Sequence, residues 1–326
     1  MHRAMPSVPR PSHAERRRRI QSSSSPLLAP TSTSTSSPSP RSSPPLPPST
    51  TIILVHGLGR TRRSMARLAT RLERSTGLRA VSIGYPSRKL SVADAAKFVS
   101  RRAAEACGGA GRPAFAVTFS LGGPIIRHAS LLGEDGSSSN GSSGSGNGSN
   151  GSNSSSGGGG PRWLGSVLLA PPNRGSDLAR ELLFSSPAIV GRVFRFLYGP
   201  AVFDLASAPE AIAREWPDAP RPCGVIAGTA PRSLNPASLL LASRVFGGGG
   251  GGGAAGGSER GKEQGGKEDE RRRPARAHDG TVAVDETSLP IPADDFATVH
   301  AGHTLIADSK ETAELVAAFL KSGRFS

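Results

Sequence analysis

The stretch FAVTFSLGGP, residues 115–124, runs apolar side chains into Ser120 and then into Leu121, Gly122 and Gly123. A short, continuous apolar run of this kind reads as a strand buried on both faces. Helical spacing follows directly over 121–132, so Ser120 sits at a strand-to-helix elbow. A serine there gains three things: the turn lifts its Oγ clear of the sheet, the helix N-terminus supplies positive potential, and the next amide points into the same space. The turn also crowds the positions two before and two after the serine, so both must be small. Gly122 meets that demand, whereas Thr118 is β-branched and departs from the pattern G-x-S-x-G.

Working outward, further apolar runs fall at 51–55 (TIILV), 79–84, 165–170 (GSVLLA), 224–228 (GVIAG) and 296–300 (FATVH). Helical spacing separates several of them, through Met65, Leu68 and Leu72, over 93–106, and over 310–320. Apolar strands joined by helices require crossover connections. The expected fold is three-layer α/β, with a mostly parallel sheet of about six strands and helices on both faces. Function in such sheets sits at the carboxyl ends of the strands. His56 and Gly57 follow the first strand, Ser120 the third, Asn173 to Asp177 the fourth, Asp279 the fifth and His303 the sixth. All of these candidate reactive groups emerge at one edge.

Composition bounds the remainder. The chain has 326 residues, with 41 glycines and 28 prolines concentrated in low-complexity blocks. Residues 1–50 are Ser/Pro-rich, and the insertions 133–160 and 247–273 are dominated by Gly, Ser, Asn and charge. Such sequence cannot bury enough apolar surface to order itself, so all three are expected to be disordered around one domain spanning 51–326. The N-terminal segment holds seven arginines, Glu15 as its one acid and no apolar h-region. It matches a transit peptide, which places the protein in an organelle, the chloroplast ahead of the mitochondrion, with the cytoplasm as the alternative. Cys107 and Cys223 are the only cysteines and offer neither a disulfide framework nor zinc-ligand spacing. They read as small buried hydrophobes.

The net charge of +15 is concentrated in 1–132. No nucleic-acid motif accompanies it, so no nucleic-acid partner is expected. Arg60, Arg62, Arg63, Arg67, Arg71 and Arg74 read as the solvated face of a helix whose other face carries Met65, Leu68 and Leu72. The alternative is a patch that brings the protein to an anionic membrane surface.

Serine is a weak nucleophile until a general base, itself oriented by a carboxylate, takes its proton. Asp279 in HDGTVAV and His303 in VHAGHTLI supply those types in the order Ser, Asp, His, and HGLG at 56–59 offers a second amide at Leu58 beside that of Leu121. Together VHGLG, TFSLGG, APPNRGSDLA, DGTV and GHTLI resemble the α/β-hydrolase superfamily, most closely its small lipase- and esterase-like serine hydrolases. The resemblance implies that Ser120 is the nucleophile, Asp279 the orienting acid and His303 the base, with Leu58 and Leu121 giving the oxyanion amides. It implies a compact six-stranded version of the fold, no metal or cofactor, and a small-molecule acyl ester or lipid as substrate. Phe119 stands where relatives usually carry His.

Rivals remain for several positions. Asp177 follows the fourth strand, another place for the acid, while Asp285 and Asp295 read as loop carboxylates. His300 falls on the last strand, where a histidine is usually a packed residue, and His56 shapes the oxyanion turn. Residues 183–205 form either an acyl-binding cap or a packed crossover helix. Acyltransferases, thioesterases and amidases share the elbow, and a non-catalytic binding protein could retain the fold.

Overall fold

The computed structural model describes residues 47, 49–132, 159–231, 245–246 and 276–326. Nearly all of the N-terminal segment 1–50 and of the insertion 133–160, and the whole of 247–273, lie outside the described residues.

Six strands form one parallel sheet: β1 Thr51–Val55, β2 Arg79–Ile83, β3 Pro113–Phe119, β4 Arg162–Leu169, β5 Cys223–Gly228 and β6 Asp295–Val299. Their spatial order is β2-β1-β3-β4-β5-β6. The chain steps outward from β1 to β2 and then crosses back to β3, so the order reverses between β1 and β3. Ligand sites form at the carboxyl ends of strands flanking such a reversal. Val55 pairs with Thr118 across that boundary, which brings His56–Leu58 and Phe119–Leu121 out side by side.

Strand alternation divides the core. Ile53 and Val55 face the side covered by α2 (Val92–Cys107) and α3 (Gly122–Leu131). Ile52 and Leu54 face the opposite side, under α1 (Ala66–Thr76) and the last helix. Met65, Leu68 and Leu72 are fully buried there, while Arg62, Arg63, Arg67 and Arg74 are exposed, as the helical spacing predicts. Arg71 departs from that solvated face by reaching across to donate to the Asp308 carbonyl at 2.5 Å. Cys107 and Cys223 are free and buried.

Beyond β4 the chain forms α4 (Asp177–Arg180), α5 (Ala188–Tyr198), α6 (Ala201–Leu205) and α7 (Pro209–Glu215), and the last helix, α8, spans Lys310–Ser322. β6 ends at Val299, so His300 lies just past the strand and is exposed rather than packed within it.

Arg127 anchors the elbow helix from below. It is fully buried, yet every acceptor it meets is a carbonyl: Nε donates to Pro217 at 2.6 Å, Nη1 to Asn173 at 3.0 Å and Nη2 to Trp216 at 3.3 Å. Its guanidinium also lies 5.5 Å from the Trp216 ring centroid. Burial pulls its pKa down to about 10, which leaves it charged near neutrality. One side chain thereby ties α3 to the loop after β4 and to the segment before β5. Arg127→Met fits the volume but strands those carbonyls, at about 1–3 kcal/mol for each group left unpaired in the interior. A fall of the urea midpoint in that range, with an unchanged m-value, is the expected result.

Candidate active site

Ser120 occupies the elbow between β3 and α3 with φ of 52°, one of two non-glycine residues with positive φ among those described. Its N–H donates to the Leu169 carbonyl at 2.8 Å, and its own carbonyl accepts from Gly123 at 2.9 Å. The crowding expected from the sequence is present. A Cβ on Gly122 would stand 2.7 Å from the Val55 carbonyl oxygen, and one on Gly57 would stand 2.9 Å from the Ser120 Cβ. Thr118 is accommodated because the missing Gly122 Cβ, which would lie 3.2 Å from its own, leaves room for the β-branch. Its fully buried hydroxyl has no hydrogen-bond partner among the described residues.

His303 arrives from the loop after β6. Its Nε2 lies 3.0 Å from Ser120 Oγ and its Nδ1 lies 2.7 Å from Asp279 Oδ2. Asp279 is fully buried, and its other oxygen accepts from the amides of Thr281 at 2.9 Å and Val282 at 2.8 Å. The His303 amide donates to the Asp279 carbonyl at 2.9 Å, locking the two loops together. A carboxylate satisfied on one oxygen by backbone amides presents the other to the imidazole, which fixes ring orientation and tautomer. Phe119 packs against the His303 ring, with centroids 4.9 Å apart, so the residue that departs from the familiar histidine serves as its wall.

Asp177 is engaged elsewhere. Burial alone would raise its pKa, but ion pairs with Arg276 and Arg180 more than offset this and hold it below the usual carboxylate value. Asp285 pairs with Arg276, and Asp295 accepts the Phe325 amide at 2.6 Å. The structure brings Ser120, Asp279 and His303 together and leaves these rivals out.

The amides of Leu58 and Leu121 have no acceptor among the described residues. Behind Leu58, His56 is buried and stacks on Tyr85 with centroids 4.4 Å apart. The Tyr85 hydroxyl donates to the His56 carbonyl at 2.9 Å, and Ser87 Oγ accepts the Gly59 amide at 3.0 Å. Desolvation lowers the His56 pKa and favours the neutral ring, in keeping with a framework role. The segment after β2, GYPSRK, therefore braces the turn that carries Leu58. Sequence reading overlooked it, although its place at the carboxyl end of a strand was the available signal.

A cavity of about 260 Å³ opens over Ser120. Phe194 and Tyr198 of α5, Val202 and Leu205 of α6, and Leu178 of α4 wall one side. Residues 183–205 thus contribute part of the cavity lining while also packing against the core.

Glu286 is a second residue that sequence reading passed over. Its buried carboxylate accepts the Asp177 amide at 2.6 Å and the Ala283 amide at 2.7 Å, bridging the loop after β4 to the loop that carries Asp279. Burial raises its pKa to about 8, with the charge of Asp177 adding to the rise and the two amides and Arg276 opposing it.

No family model and no curated protein matches the chain. Among solved structures, the chain is similar to the mature form of Bacillus licheniformis lipase BlEst2, at 17% identity over 85% of this chain and 94% of that one, with a TM-score of 0.56. It is similar to the propeptide form of the same lipase at 18% identity over 86% of this chain and 52% of that one, with a TM-score of 0.55. With its parallel six-stranded sheet, the chain has the α/β-hydrolase fold.

Two outcomes follow from this geometry. A non-glycine residue held in the left-handed region costs about 1 kcal/mol or more, which glycine avoids. Ser120→Gly is therefore expected to raise the melting temperature, whereas Ser120→Ala, which keeps the Cβ, leaves it nearly unchanged. For Glu286, a folded pKa raised above the unfolded one stabilises fully below the unfolded value of 4.5, and that stability declines as pH rises toward about 8. Glu286→Gln is expected to lower the melting temperature overall but to flatten this decline. The wild-type-minus-variant difference isolates Glu286 from His56, His128 and His278, whose lowered pKa values act in the opposite sense.

Proposed function

We propose that this protein is a serine hydrolase of carboxylic esters that acts on acyl lipids. The observation that carries the reading is His303, in hydrogen-bond reach of Ser120 through one ring nitrogen and of buried Asp279 through the other. Ser120 Oγ attacks the ester carbonyl carbon while His303 Nε2 takes the hydroxyl proton. The carbonyl oxygen becomes an oxyanion facing the amides of Leu58 and Leu121. Collapse of this adduct breaks the bond to the leaving oxygen, which takes the proton from His303. Water, deprotonated by the same histidine, then adds to the acyl-enzyme and frees the carboxylic acid. Acyltransferases and thioesterases on this scaffold share the acyl-enzyme and differ in acceptor or leaving atom.

A lipid substrate is supported by the two faces of α5. Phe194 and Tyr198 line the cavity, while Ile189, Val193, Phe196 and Leu197 point outward, Phe196 being 87% exposed. Phe184 on the preceding turn adds to that outer face at 70% exposure. Exposed Arg192 and Arg195 flank it. An apolar stripe bordered by guanidinium groups fits the headgroup region of an anionic lipid surface, where the apolar side chains leave water and the charges meet phosphates. No helix among the described residues is long and apolar enough to cross a membrane, and this contact is peripheral.

A fluorophosphonate probe, which labels only an activated serine, tests the reading. Wild type is expected to label at Ser120, and Ser120→Ala and His303→Ala are expected not to. Asp279→Asn is expected to slow ester turnover by about 10⁴-fold, as loss of the orienting acid does in other triads. A folded wild-type protein that fails to label would overturn the proposal.

A further inference from the structure

The cavity over Ser120 is asymmetric in charge. Beside its apolar side chains it is lined by Arg60 and Arg88, and by no carboxylate. Neither arginine has a carboxylate partner among the described residues. Arg60 is half-buried and Arg88 exposed, and each has structural contacts that set its position. Arg60 follows the tight turn in which its amide donates to the Gly57 carbonyl at 3.2 Å, and its guanidinium lies 5.7 Å from the Phe119 ring centroid, the same ring that walls His303. The Arg88 guanidinium rests on the backbone at Gly59, where an added Cβ would meet its Nη2 at 3.4 Å. Ser87 fixes that approach through the Gly59 amide. On the other side, the Arg88 carbonyl packs so closely on Gly199 that a Cβ there would stand 1.8 Å from its oxygen. The Arg88 backbone thus packs on the junction between α5 and α6, while its exposed side chain reaches the turn that carries Leu58.

Two guanidiniums without carboxylate partners in the lining of one cavity match an anionic group with several acceptor oxygens. Phosphate presents three or four oxygens to such forks and takes two guanidiniums at once. The acyl chain has the apolar wall available to it, which leaves the arginine side for the alcohol portion of the ester. We propose that Arg60 and Arg88 recognise a phosphate on the leaving alcohol, so that the preferred substrate is an acyl ester of a phosphorylated alcohol. This rests on the serine-hydrolase reading above. Hydrolysis adds water across the acyl carbon–oxygen bond and releases a fatty acid and the phosphorylated alcohol. The phosphate can be presented by a phospholipid in a bilayer or by a monomeric acyl phosphoglycerol in water.

The test compares substrates that differ only in that phosphate. One arm measures kcat/KM for 1-acylglycerol 3-phosphate against 1-acylglycerol of the same short chain, both below micelle formation. The other measures phosphatidate against diacylglycerol in phosphatidylcholine vesicles. Wild type is expected to favour the phosphorylated ester by about tenfold or more, the equivalent of one charge-assisted contact. The arm in which the preference is larger identifies the source. In the Arg60→Gln/Arg88→Gln double variant the ratio is expected to fall toward one; each ratio is internal to its own protein, so differences in yield or folded fraction cancel. A wild-type ratio near one in both arms, or a ratio unchanged in the double variant, overturns the phosphate assignment. If wild type labels with fluorophosphonate while the ratio stays near one, only this assignment fails. Absence of labelling overturns the hydrolase reading and this assignment together.

Discussion

Ser120 is held at positive φ between a fully buried strand and a helix, and the placement of every other group in the site follows from that constraint. The conformation is tolerated only because the surrounding backbone can approach closely, at Gly57 on one side and Gly122 on the other. Parallel pairing of Val55 with Thr118 sets the turn after β1 directly beside the elbow. Leu58 then lines the same cavity as Ser120, and Leu121 follows Ser120 at the start of α3. Burial of β3 on both faces and the carbonyl cage around Arg127 hold the elbow rigid from beneath.

The histidine has farther to travel. β6 stands three strands from β3 in the sheet order, roughly 14 Å at the usual strand spacing, so His303 and Asp279 reach Ser120 only because their loops fold back over the ends of β4 and β5. Two backbone-level ties enforce this fold-back: the His303 amide on the Asp279 carbonyl, and the Glu286 carboxylate bridging the Asp279 loop to the loop after β4. The same loop after β4 leads into the cap that walls the cavity. The cavity wall and the contact between Asp279 and His303 therefore share one support at Glu286.

The sheet was legible because strands buried on both faces leave a direct mark, continuous apolar runs such as TIILV and GVIAG, and because the polar residues at their ends fell on a single edge. Ser120 and His303 were legible for the same reason, each lying just past a strand, and Asp279 was legible from the DGTV motif in the order Ser, Asp, His. Asp177 stayed as a rival because it too follows a strand, although the distance from Asp279 to His303, with room for one strand, favoured Asp279. Ion pairs with Arg180 and Arg276, decided by folding, remove Asp177 from contention. Arg127 and Glu286 were invisible as well: one is satisfied entirely by carbonyls and the other by amides, and backbone partners leave no pattern in side-chain sequence. The tolerance of Thr118 depended on space left by a glycine four residues on. The placement of Arg88 depended on contacts with Gly59 and Gly199, 29 and 111 positions away, respectively, in the chain.

The proposed reaction turns on acylation of Ser120 during turnover. Mass spectrometry of protein acid-quenched within milliseconds of mixing with a slowly deacylated ester reads this directly. The expected result is a transient mass increase equal to the acyl group, located on the peptide that contains Ser120 and decaying at the rate of acid release. Ester turnover with no adduct at any time, or an adduct confined to another residue, would contradict it.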